Sequence, residues 1–106
     1  MNTTATAREI AEKLRDILHE KFSDFSGLYL FGSQAKGTAA CDSDIDIVVL
    51  MKTWSWKETS DFYKVISRFR YENDVDLDLL PMTRGELERN PFFYDEVVNK
   101  GIFYVV

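Results

Sequence analysis

The chain has 106 residues, with 18 Asp and Glu against 13 Lys and Arg and a net charge of −5. Its 45% apolar and 29% charged residues exclude disorder, and its length suits a single domain, residues 1–106, with one core and one site. No run nears the roughly 18 apolar residues of a membrane span, no basic cluster suits long nucleic acid, and Met1–Ala7 lacks an export signal's apolar stretch, so a cytoplasmic protein is expected.

The first element is a helix over Ala7–Phe22. Ile10, Leu14, Ile17, Leu18 and Phe22 recur at spacings of three and four, which gives one apolar stripe. Thr6 and Glu9 read as a capping box at its start. Leu28–Phe31 is a short apolar strand. Gly32–Ser43 is rich in Gly, Ser, Thr and Ala and reads as a loop with a short helical turn near Ser33. Ile45–Met51 is β-branched and apolar, as a buried strand is.

Ser55 and Glu58 predict a second capping box, opening a helix from Trp56 to Tyr71. Phe62, Val65, Ile66 and Phe69 line its inner face. Val75–Leu80 alternates, with Val75, Leu77 and Leu79 on one face and Asp76 and Asp78 on the other. Pro81 ends that strand. Thr83 and Glu86 predict a third capping box, for a short helix. Asn90-Pro91 starts another that runs to Lys100, and Gly101 stops it. The apolar Ile102–Val106 is expected to dock. Strands and helices interleave, so the fold class is α/β (α+β): a small sheet with helices on one face and carboxylates on the other.

Those carboxylates are the informative feature. Asp44 and Asp46 lie two apart at the start of a strand, so they share a face, about 7 Å from each other. If the two acidic strands are neighbours, Asp76 lies about 5 Å to the side. Such a cluster is costly, since two unit charges at 4 Å repel by about 4 kcal/mol at an effective dielectric near 20. Protonation or a bound cation relieves it. Carboxylate oxygens without nearby His or Cys suit Mg²⁺, and a pair of such ions serves phosphoryl and nucleotidyl transfer. Gly32 allows close backbone approach. The N–H groups after it, with the Ser33 hydroxyl, suit phosphate oxygens. Gly32 and Gly37 have P-loop spacing, but Thr38 stands where the P-loop requires Lys, so that motif is rejected.

Gly32-Ser33, ten residues, then Asp44-Ile45-Asp46, with Val75-Asp76-Leu77 later, is a specific pattern. It resembles the minimal nucleotidyltransferase (MNT) group of the DNA polymerase β-like superfamily, over nearly the whole chain. The resemblance implies the nucleotidyltransferase fold, two Mg²⁺ ions, ATP as substrate, and transfer of AMP to a hydroxyl. It also implies an antitoxin role, with a HEPN-type RNase toxin as partner and as the protein adenylylated. Carried over, Gly32 and Ser33 bind the triphosphate. Asp44 and Asp46 bind both metals, and Asp76 binds one and takes the acceptor proton. Relatives often carry Arg just after the serine. Here Gln34 and Lys36 occupy that stretch; Lys36 is expected to reach a phosphate, and Gln34 cannot neutralise one.

Other residues have plainer readings. Asp78 shares the acidic face; it reads as a solvated strand end, with a fourth ligand as the alternative. Gly37 reads as a turn residue and Ser43 as a loop cap. Cys41 has no second Cys and no nearby His to activate it. His19 reads as a solvated helix position. Trp54, Trp56, Phe92, Phe93, Tyr94, Phe103 and Tyr104 are mostly core, with an exposed remainder expected to meet a protein partner. Two alternatives stay open. One is a non-catalytic module that silences its partner by occlusion, which the uncharged Gln34 fits. The other is a small-molecule (aminoglycoside-like) nucleotidyltransferase acting as a homodimer.

Overall fold

The computed structural model describes residues 6–32 and 44–105. Helix α1, Ala7–Lys21, starts where the Thr6 hydroxyl accepts from the Glu9 backbone N–H at 3.2 Å. Its inner face is Ile10, Ala11, Leu14 and Leu18, all fully buried. Strand β1, Phe25–Phe31, follows after a short turn. Strand β2 is Ile45–Met51 and helix α2 is Trp56–Asn73. Asp74 ends α2 in the left-handed conformation (φ 49°), which a short polar side chain tolerates. Strand β3 is Leu77–Met82, and the short helices α3 (Arg84–Glu88) and α4 (Pro91–Tyr94) come next. A π-helical turn, Asp95–Asn99, prolongs α4, and strand β4 is Ile102–Val105.

The sheet order is β3-β2-β1-β4. β1 is antiparallel to β2 and to β4, while β2 and β3 run parallel, joined by the α2 crossover. The main core lies between one sheet face and the helices α1 and α2. There Leu28, Leu30, Ile47, Val49, Leu77 and Leu79 meet Leu14, Phe62, Ile66 and Phe69. This is the predicted face of helices. On the other face a smaller cluster joins Tyr29, Val48 and Leu50 to Leu87 and Val97. The C-terminal helices therefore cover part of the acidic face.

Local details depart from the sequence reading. Pro81 does not end its strand: β3 starts at Leu77 rather than Val75 and runs through Pro81, which lies opposite Val49, to Met82, because on an outer strand a missing N–H can face away from the ladder. The Thr83–Glu86 capping box forms in full, but only the Thr6 side of the first box is present. Ser55 makes no side-chain cap bond; its carbonyl instead accepts from the Thr59 hydroxyl at 3.2 Å. The apolar C-terminal run does more than dock. It pairs with β1 as a fourth strand, and β1 itself begins three residues earlier than its apolar run suggests. The predicted helical turn near Ser33 lies outside the described residues.

Candidate active site

The acidic residues meet at one end of the sheet because of two registers. In the parallel pair, Ile45 lies opposite Leu77 and Asp46 opposite Asp78. The Ile45 N–H donates to the Asp76 carbonyl at 3.1 Å, which fixes the start of that ladder. By alternation Asp44, Asp46, Asp76 and Asp78 all leave the same face. Adjacent strands lie about 4.8 Å apart, so Asp46 has Asp78 as its lateral neighbour and Asp44 has Asp76. Asp44, Asp76 and Asp78 are exposed and Asp46 is half-buried.

β1 supplies the third side. Phe31 pairs with Asp46, and Gly32 follows with a φ of 75°, in the left-handed region. A Cβ on Gly32 would collide with the Asp46 carboxylate oxygen. The backbone entering the glycine-serine loop thus passes directly against Asp46. Phe93 packs edge-on against Phe31, centroids 5.5 Å apart, and props that strand end.

Electrostatics follow from this crowding. Partial burial, then the charge of Asp78, then that of Asp44 raise the Asp46 carboxyl above its usual range. Among the described residues, no Lys or Arg forms an ion pair with any of the four carboxylates. Nor do three acidic, His or Cys side chains there already converge into a cage for an ion. The donor set, four carboxylates around one strand end, fits a hard, oxygen-seeking divalent cation. Asp44, Asp46 and Asp76 or Asp78 would hold it.

The register sets Asp44, Asp46 and Asp76 at one end of the same sheet face. Asp78 is exposed, as a solvated position is, and the register sets it beside Asp46. Alternation alone already put it on the right face; what the sequence lacked was the register. Ser33 and Lys36 lie outside the described residues, as do Gln34, Gly37, Cys41 and Ser43. His19 is exposed on α1. A groove of about 440 Å³ between α1 and α2, lined by Ile17, Lys21, Lys64, Val65 and Phe69, holds none of the candidate residues and opens on the helical side.

The family model described as "Polymerase beta, Nucleotidyltransferase" matches residues 12–103, a span that contains the whole acidic site. The chain belongs to the polymerase beta nucleotidyltransferase family. Two chains of Methanocaldococcus jannaschii that carry the name protein adenylyltransferase are similar to it. MJ0141 is 29% identical over 96 residues, 90% of this chain and 91% of that one. MJ1379 is 28% identical over 105 residues, 99% and 100% of the two chains. Among solved structures, a toxin-antitoxin complex with AMP-PNP contains a chain with a TM-score of 0.66 at 25% identity, over 89% of this chain and 72% of that one. The complex of a tri-AMPylated HEPN toxin with an MNT antitoxin from Shewanella oneidensis contains one with a TM-score of 0.63 at 20% identity, over 94% and 73%. That last likeness is one of fold.

Proposed function

We propose that this nucleotidyltransferase is a Mg²⁺-dependent protein adenylyltransferase, which silences a HEPN-type RNase toxin by moving AMP from ATP to a hydroxyl of it. The observation that carries the reading is the parallel register of β2 and β3, with Gly32 held against Asp46. It supports a site in which carboxylates take divalent ions next to Gly32, where the glycine-serine pair begins. The adenylyltransferase name of the two similar chains supports the reaction class. The AMP-PNP held by the toxin-antitoxin complex supports a triphosphate substrate and a toxin partner.

In the proposed reaction the acceptor hydroxyl oxygen attacks the α-phosphorus of ATP. One P–O bond forms, the bond to the β-phosphate oxygen breaks, and pyrophosphate leaves. Asp76 takes the hydroxyl proton. Asp44 and Asp46 would hold Mg²⁺, which would supply neutralisation of the triphosphate charge and easier ionisation of the hydroxyl. Gly32, Ser33 and Lys36 position the phosphates. Catalysis is thus mostly placement and charge neutralisation, as phosphoryl transfer generally is.

The test is incubation of the chain with α-labelled ATP, Mg²⁺ and a lysate of the source cells. A labelled protein band that vanishes with Asp46→Ala and with chelator is expected. Label that never leaves ATP overturns the reading. If Asp44→Asn silences the partner as well as the wild type does, occlusion is the mechanism.

A further inference from the structure

We infer that two copies of this chain join edge to edge through β4, antiparallel, with Tyr104 facing Tyr104 at the two-fold axis.

Among the described residues no strand pairs with the outer side of β3 or of β4, and these two edges are built differently. On β3 the Asp76 carbonyl is bonded to β2. By alternation Leu77, Leu79 and Pro81 turn their backbone groups to the free side. Pro81 has no N–H to offer there. The Leu77 carbonyl is taken by the Arg70 guanidinium at 2.6 Å. The exposed Asp76 and Asp78 add charge. Proline, charge and covered backbone are the devices that keep an edge from accepting another strand.

β4 has none of them. Ile102–Val105 contains no proline and no charge, and no described side chain bonds its backbone. Phe103 is 43% exposed and Val105 62% exposed, side by side on one face. An uncharged edge carrying exposed apolar side chains is a surface for strand addition.

The strand is also its own complement. Opposed residues of an antiparallel pair must share a face. A two-fold pairing therefore centres on a residue rather than between two. Centred on Tyr104, it places Phe103 opposite Val105 of the other copy, and Val105 opposite Phe103. Both exposed apolar side chains are then covered in each copy. Centred on Phe103, it leaves Val105 facing Gly101, which has no side chain to cover it. The charges that act on Tyr104 are those of Arg8, Glu12 and Arg15 on α1, a mixed-sign set. The result is a continuous eight-stranded sheet joined by an isologous contact. The acidic strand ends of β2 and β3 stay at its outer flanks, so both sites remain open.

Sedimentation velocity of the wild type from micromolar to millimolar concentration is expected to show a reversible dimer. Val105→Lys sets an ammonium against the other copy's Phe103 and is expected to sediment as a monomer at every concentration, with an unchanged circular dichroism spectrum. Register is read by oxidising cysteine variants in a Cys41→Ser background. A mixture of Phe103→Cys and Val105→Cys is expected to cross-link, while each alone does so far less. A wild type that stays monomeric, a dimer that survives Val105→Lys, or equal cross-linking of either variant alone overturns the inference. None of these readouts depends on nucleotide transfer, so they stand or fall apart from the proposed activity.

Discussion

Gly32 and Asp46 are in van der Waals contact across the β1–β2 pair, leaving no room for a side chain at position 32. The left-handed φ of 75° makes the same demand from the backbone side. Gly32→Ala therefore has to move either the carboxylate or the loop. Backbone strain of this kind costs about 1–3 kcal/mol. A misplacement of about 1 Å at a reacting centre costs on the order of 100-fold in rate. The variant is expected to melt lower and to lose at least that much adenylyl transfer, measured with labelled ATP on folded protein.

Asp46 is strained electrostatically as well. Its folded-state pKa lies above the unfolded value near 3.8. The folded chain thus holds that proton more tightly, so its contribution to stability is lost as pH rises through the raised pKa. Asp46→Asn removes this penalty. In metal-free buffer the variant is expected to melt above the wild type at pH 7, with the gap closing below about pH 4. The gain is small, because solvent screens a half-buried group. A variant that melts lower at neutral pH contradicts the assignment.

Asp76 and Asp78 separate by role. Asp76 is the proposed proton acceptor, and Asp78 lies beside Asp46. Asp76→Asn is expected to lower kcat by roughly 100-fold or more, the usual range for a lost general base. Asp78→Asn is expected to raise the Mg²⁺ concentration needed for half-maximal rate while leaving kcat at saturating Mg²⁺ nearly intact. Mg²⁺ titrations of the two variants side by side check this. The reverse pattern would make Asp78 the base.

Capping gives a check on the fold alone. Thr83 and Glu86 form a reciprocal box, whereas Ser55 caps nothing with its side chain. Thr83→Ala is expected to cost about 1 kcal/mol and Ser55→Ala no more than about 0.3 kcal/mol, read by denaturant unfolding.

Most of the site was legible because it is written in local spacing. Asp44 and Asp46 share a face whatever strand they meet, and Phe62, Ile66 and Phe69 share one on any helix. The register was not legible, since it depends on how α2 returns the chain, and so the carboxylate that faces Asp46 stayed open. β4 was missed for a related reason. Ile102–Val105 has four residues and no alternation of polarity, and only its pairing with β1 makes it a strand. Ser55 misled because a capping sequence states what a side chain can do, and at Ser55 the Thr59 hydroxyl bonds the carbonyl while the serine side chain stays uncommitted.

The helical crossover between β2 and β3 carries one more implication. Residues 44 and 46 reach residues 76 and 78 only when about thirty intervening residues have folded back. Such long-range pairings are slow to form. A nascent or partly unfolded chain thus has neither half of the acidic set in place. If the chain does guard against a toxin, protection begins with completed folding rather than with synthesis, and anything that delays the return of α2 lengthens the unguarded interval.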